Sequence, residues 1–384
     1  MPGGQEPSIV LAHRFLPGPV VNIGRAVRRW RARGPRLGCY QPVSTLQLPD
    51  NTPRGSCVPA VNFHSHLGRW LTGTGAWMEP DIGLVLAIMQ ETNTEAIVNL
   101  DGRWGDELEH NLDRYDRAHP GKFYTFCHLD WQRLDHPDGP DQLVRSLERS
   151  VAAGARGLKV WKDLGLRWRA RGRRILPDDP LLAPVWETAG SLGIPVLVHI
   201  ADPVAFFQPV DNRNERLEEL RRHPNSSHQK GGLELFHQLL SSLEHAVADH
   251  PETQFVGAHG YHPEDLAHLS SVLDRYPNFS IDLAWAHIQF GRQPRAAAAL
   301  ITSHPDRVLF GTDIFPLKVS TLRTFYRMLE TQDDAFPYSD EPVPSNGRWM
   351  IYGLGLPREV LELVYRANAL RLLGLGRRSG ATAR

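Results

Sequence analysis

From position 61 onward, short runs of β-branched and aliphatic residues alternate with longer stretches in which apolar residues recur at helical spacing. The short runs, at 61–64, 96–101, 123–128, 156–161, 195–199, 254–259, 279–283 and 308–313, are nearly continuous in apolar character. That is the pattern of strands buried on both faces. Between them, helices are predicted at 81–90, 108–117, 141–152, 181–191, 233–248, 263–276 and 295–303, and a closing helix within 356–375. Eight βα units of this kind predict an α/β fold, a distorted (β/α)8 TIM barrel, over 58–375. An open doubly wound sheet would carry a glycine-rich phosphate loop after its first strand, and neither G-x-G-x-x-G nor G-x-x-x-x-G-K-[ST] follows 61–64.

Two connections are too long for plain links. Residues 201–232 are rich in Pro, Asn, Arg and His and follow the fifth strand, where a barrel carries active-site loops. A second irregular insert covers 333–349. Residues 1–57 are set apart as an Arg-rich N-terminal extension, with eight Arg against Glu6 and Asp50 up to position 55, and 376–384 as a flexible tail.

The 384-residue chain has 43 Lys+Arg and 43 Asp+Glu, so it lacks the net positive field of a nucleic-acid or anionic-membrane binder. It contains no apolar run of bilayer length and no evident export signal, which predicts a cytoplasmic protein. The expected partners are a small-molecule substrate and a second copy of the chain in a homo-oligomer, a dimer. Cys39, Cys57 and Cys127 form no C-x-x-C pair, so any metal must be held by His and carboxylates.

Such a set is present. His64 and His66 form an H-x-H pair at the end of the first strand; with a side-chain period of two, both imidazoles face one side. With 18 His, chance alone supplies about one such pair. The recurrence carries the inference: His199 ends the fifth strand, His259 the sixth and Asp313 the eighth. Four imidazoles and a carboxylate at one end of a barrel suit Zn²⁺, Fe²⁺ or Mn²⁺. Arg103, Asp202, Arg216 and His262 lie just beyond strand ends or on the long loop, as does Phe207, and are the candidate substrate contacts.

This arrangement resembles the amidohydrolase superfamily, in the branch that includes aminocarboxymuconate-semialdehyde decarboxylase. Segments 157–165 (GLKVWKDLG), 201–207 (ADPVAFF), 214–216 (NER) and 352–357 (YGLGLP) are similar to one subgroup of that branch. The resemblance implies His64, His66, His199, His259 and Asp313 as ligands or proton-handling groups, with Asp313 and His259 catalytic. Dinuclear relatives carry a carbamylated lysine on the fourth strand, which implies Lys159, or Lys162 beyond it, as a bridge between two ions instead of one. Where the superfamily usually has Asp two residues before the first His, this chain has Asn62. The implied reaction is hydrolysis of a C–N or C–O bond by metal-activated water. The alternatives are non-oxidative decarboxylation and O2-dependent hydroxylation of a bulky, diterpenoid-like and CoA-linked intermediate, as in the nonheme diiron hydroxylase of platensimycin and platencin biosynthesis.

Overall fold

The computed structural model describes residues 39–40 and 42–376. Most of the Arg-rich extension, and the tail from 377, lie outside the described residues. The chain divides into two compact units, Met1–Leu46 and Gln47–Arg384. The division falls eleven residues before the composition boundary at 57, and 47–57 belong to the larger unit.

All eight predicted strands occur: β1 (Ala60–Ser65), β2 (Thr94–Asn99), β3 (Phe123–Thr125), β4 (Leu158–Val160), β5 (Val196–Val198), β6 (Phe255–Gly257), β7 (Phe279–Asp282) and β8 (Val308–Leu309). They pair in parallel as β1-β2-β3 and as β8-β7-β6-β5-β4. Hydrogen bonds join the two sheets at both seams. Cys127 donates to Gly157 and accepts from Lys159, linking β3 to β4; Phe63 donates to Phe310 and Asp313 to His64, linking β1 to β8. The chain thus runs once round a barrel in sequence order.

Helices α1 (Ile82–Glu91), α2 (Asp106–Asn111, extended by a π turn at Leu112–Arg117), α3 (Gly139–Ala153), α4 (Ala183–Ser191), α5 (Gly232–Asp249), α6 (Leu266–Arg275), α7 (Pro294–Ser303) and α8 (Val319–Glu330) return the chain between strands. Side-chain alternation builds two cores. Leu158, Val160, Val196, Val198, Phe255 and Ile281 face the helices, while Val61, Phe63, Val98, Leu197, Val256 and Leu309 fill the barrel. The predicted closing helix is present as Arg358–Glu362, a π turn at Leu363–Ala367, and Asn368–Leu372; its Ala369 and Leu372 join the inner core.

The long loop after β5 has structure of its own, with 3-10 turns at Val204–Phe207 and Pro224–Ser226 around a short helix, Leu217–Arg222. The later insert is pinned by antiparallel pairing of Phe336–Pro337 with Met350–Ile351. Among the described residues no helix is long and apolar enough to cross a membrane.

Candidate metal centre at the barrel mouth

The H-x-H pair reaches the barrel mouth through a bulge. Between Asn62 and Ser65 of β1, three steps stand against two steps of β2, from Ile97 to Asn99. The extra residue shifts the alternation, so that His64 and His66 turn to the mouth although Val61 and Phe63 already face inward. The other site residues leave the ladder before they act: His199 follows β5 directly, His259 sits in a 3-10 turn after β6, and Asp313 lies four residues past β8. His259 and Asp313 adopt left-handed φ of 58° and 54°, as do Arg103 and Trp285 at the ends of β2 and β7. Such backbone is costly for residues with a Cβ and concentrates where side chains are aimed for function.

The five residues converge. His66 Nε2 lies 3.0 Å from Asp313 Oδ1, His64 Nε2 3.8 Å from the same oxygen, and His259 Nε2 3.9 Å from Oδ2. His199 Nδ1 is 3.3 Å from His259 Nε2, and the His64 and His259 ring centroids are 5.0 Å apart. His64, His66 and Asp313 form a group whose atoms could hold one ion.

Three of the four imidazoles are oriented by a partner on the far nitrogen. Asp282 Oδ2 accepts from His64 Nδ1 at 2.7 Å, Asp101 Oδ1 from His66 Nδ1 at 2.8 Å, and the Ala284 carbonyl from His259 Nδ1 at 3.0 Å. These bonds orient the rings and aim each Nε2 at the centre, the usual support for metal-ligating histidines. His64 Nε2 and Asp313 Oδ1 are buried without a hydrogen-bond partner, as is Lys159 Nζ. Orphaned buried acceptors that face one another are the signature of a site built for a cation.

The electrostatics set the two rings of the H-x-H pair apart: His64 stays neutral, while His66 holds a proton that a bound cation would displace. Burial, reinforced by Lys159, holds His64 well below the ordinary imidazole value. For His66 burial works the same way, but Asp101 and Asp313 outweigh it and raise the ring to about 9. Burial likewise opposes ionisation of Asp313, yet His64 and His66 hold its carboxyl well below the usual range. The donor set, two carboxylate-backed imidazoles against a carboxylate that stays ionised, fits a divalent ion.

The fourth-strand ambiguity is settled by alternation. Lys159 is 1% exposed and points into the barrel, with its Nζ 5.3 Å from the Trp161 ring centroid. Burial, partly offset by Asp282, Asp313 and Asp101, lowers its amine to about 8. Lys162 instead donates to Asp202 Oδ1 at 2.5 Å, and Asp202 Oδ2 faces His228 Nε2 at 2.7 Å.

A cavity of about 400 Å³ opens beside the centre, with His199, His259 and Asp313 in its wall together with Phe206, Phe236, Trp285 and Ile288. Of the expected substrate contacts, Asp202 and Arg216 line it. Three others lie outside this lining. Phe207 is 1% exposed and packs on Phe236 and His228, because the 3-10 turn directs Phe206 to the cavity and its neighbour to the core. Arg103 stacks over Trp70 and Trp104 and lines a separate depression with Arg69 and Glu107. His262 packs against Phe236 and His268, where burial lowers it to about 4.

The sequence does not single out Asp282 as a site residue, and it offers Asp101 only as a polar residue near the mouth that could contact substrate, whereas Asp101 backs His66. A lone carboxylate at the end of the apolar strand FSID was the available signal. Asn62, where the resemblance implies Asp, makes its side-chain hydrogen bonds to Thr312 and to the His64 backbone. Its Oδ1 accepts from Thr312 N and its Nδ2 donates to Thr312 Oγ1, tying β1 to β8.

No curated protein matches the sequence. Solved structures share the fold: 2,6-dihydroxybenzoate decarboxylase from Rhizobium is 16% identical over 83% of this chain and 99% of its own, with TM-score 0.52. Dihydroxybenzoic acid decarboxylase from Polaromonas sp. JS666, with bound manganese and the inhibitor 2-nitroresorcinol, is 14% identical over 83% and 97%, with TM-score 0.52. An uncharacterized TIM-barrel protein from Bordetella bronchiseptica is 15% identical over 82% and 98%, with TM-score 0.53. The amidohydrolase family model matches residues 113–375, the stretch that carries β3 to β8 and with them His199, His259 and Asp313. With the H-x-H pair closing the same centre from β1, the chain belongs to the amidohydrolase family.

Proposed function

We propose that this metal-dependent enzyme hydrolyses a C–N or C–O bond next to a carbonyl in a small organic substrate. The observation that carries the reading is the position of Asp313: one carboxylate oxygen faces His64 and His66, and the other faces His259. Hydrolysis moves a proton twice, away from the attacking water and onto the leaving group, and one carboxylate that reaches both positions serves both transfers. His64, His66 and Asp313, with His199 against His259, would hold a divalent ion, which would supply a lowered water pKa and a polarised carbonyl. Asp313 takes the proton of the attacking water as its oxygen adds to the carbonyl carbon. The same proton passes to the departing nitrogen or oxygen as that bond breaks, with His259 steadying the carboxylate from its other side. Asp282 and Asp101 keep the His64 and His66 lone pairs turned inward throughout.

Two other readings draw on specific observations. The structural similarity to hydroxybenzoate decarboxylases supports loss of CO2 from an aromatic acid, in which His259 or Asp313 delivers a proton to carbon. The unpartnered Lys159 amine beside the cluster supports a carbamate bridge and a two-ion centre, the arrangement an O2-dependent hydroxylase uses. Protein loaded in turn with Zn²⁺, Mn²⁺ and Fe²⁺ is to be incubated with aryl amides, aryl esters and hydroxybenzoates in ¹⁸O-water, with O2 uptake followed. One ¹⁸O in a carboxylate product, absent with Asp313→Asn, is the expected result. Release of CO2 without ¹⁸O uptake would replace hydrolysis by decarboxylation, and product oxygen derived from O2 would replace it by hydroxylation.

A further inference from the structure

The wall of the cavity contributed by the long loop and the helix His287–Arg292 carries two polar side chains with unmet hydrogen-bonding capacity. Arg216 is 3% exposed and its Nε has no partner; Gln289 is 5% exposed and its Oε1 has none. Both line the cavity. Neither is left over from loose packing. The Arg216 guanidinium is held by Glu219 Oε2 on Nη1 at 2.9 Å and lies over the Trp349 ring at 5.1 Å. Gln289 belongs to a helix whose neighbouring Ile288 and Phe290 are buried, where an apolar side chain would be the ordinary occupant.

An unpaired buried donor and an unpaired buried acceptor are each destabilising unless a ligand or water completes them. Their chemistry is opposite in sense: Arg216 Nε–H donates and Gln289 Oε1 accepts. Their charge is already balanced. Glu219 neutralises Arg216, and the other cation on the wall, Lys162, is paired with Asp202. A carboxylate or phosphate is therefore a poor match, whereas a neutral group that joins a carbonyl oxygen to an N–H satisfies both atoms.

We propose that Arg216 and Gln289 form a recognition subsite for a secondary amide, or an equivalent neutral acceptor–donor pair, on the part of the substrate remote from the reacting carbonyl. Phe206, Phe236 and Ile288 would pack on the apolar segment between the two ends. The inference rests on the reading of this cavity as the substrate site of the metal centre.

The test uses chelating probes that place themselves. Zn²⁺-loaded protein is titrated calorimetrically with 4-acetamidobenzohydroxamate and with 4-isopropylbenzohydroxamate, a similarly shaped probe without the amide. Biphenyl homologues of both cover a longer span, and benzohydroxamate serves as the parent. At one of the two lengths the acetamido probe is expected to bind about 10–100-fold more tightly than its isopropyl partner. Arg216→Lys, which keeps the charge for Glu219 but removes Nε–H, and Gln289→Leu are each expected to reduce that ratio to below about threefold. Because the ratio is read within each protein, a general weakening of the fold cancels. Equal affinities for the paired probes at both lengths, with benzohydroxamate still bound, would overturn the subsite and leave the metal centre standing. Binding of no hydroxamate at all would overturn both.

Discussion

Asp282 supports the centre through two of its histidines. One of its oxygens accepts from His64 Nδ1 and the other from the backbone N of His259 and of Ala284, so it sets two imidazoles at once. Asp282→Asn keeps an acceptor for the backbone but turns an N–H toward His64 Nδ1, which forces the wrong tautomer. Zinc affinity, read by competition with a chelating dye, is expected to fall about 10–100-fold, and an unchanged affinity would remove Asp282 from the site. Another carboxylate, the half-buried Asp116, accepts from Thr125 N at 2.9 Å and from Thr125 Oγ1. Burial raises it to about 6, above its ordinary 3.8. Between those values the folded protein binds more protons than the unfolded chain, so its contribution to stability declines as pH rises through that window. Asp116→Asn retains both bonds without the titration. The variant should therefore gain stability relative to the parent from pH 4 to 7 in urea unfolding, and parallel profiles would contradict the assignment.

The elements divide by how local their determinants are. The strands were legible because a run such as Val196–Val198, buried on both faces, has no other use in a soluble chain. Their ends were not, because the residues that matter at positions 199, 259 and 313 have left the ladder for turns fixed by tertiary contacts. The bulge in β1 was equally hidden: it is a register relation to β2 and leaves no mark in the local sequence. For the long loop, length and composition announced a functional insert, but which phenylalanine faced the cavity depended on the phase of one 3-10 turn. That loop is latched to the end of β4 by Asp202, held between Lys162 and His228. Asp202→Ala strands both partners and releases the latch. Cleavage within 208–230 by a nonspecific protease is expected to quicken about 5–30-fold, with global unfolding little changed. Equal cleavage rates would show that the loop is held by its apolar contacts alone.

At the scale of the whole molecule, the centre and the closure of the barrel are one structure. His64 and His66 stand on β1 and Asp313 just past β8, so the group that could hold an ion straddles the seam where the two sheets meet. Asn62 spans the same seam with bonds to the backbone and side chain of Thr312. An ion bound there must stabilise the fold as well as equip it, because the unfolded chain presents no such arrangement. At a hundred times its dissociation constant, that linkage is worth about 2.7 kcal/mol, or about 4 °C in Tm for a unit of this size. Zn²⁺ or Mn²⁺ should raise Tm by that order and a chelator should reverse it. Asp313→Asn should abolish the response. Asn62→Ala supplies the contrast: it strips a buried acceptor from the seam and should lower Tm by about 3–6 °C, while its ligands remain and metal still raises it. A Tm indifferent to metal in the parent protein would deny the centre. A response lost in Asn62→Ala as completely as in Asp313→Asn would mean that the seam must close before any ligand can act.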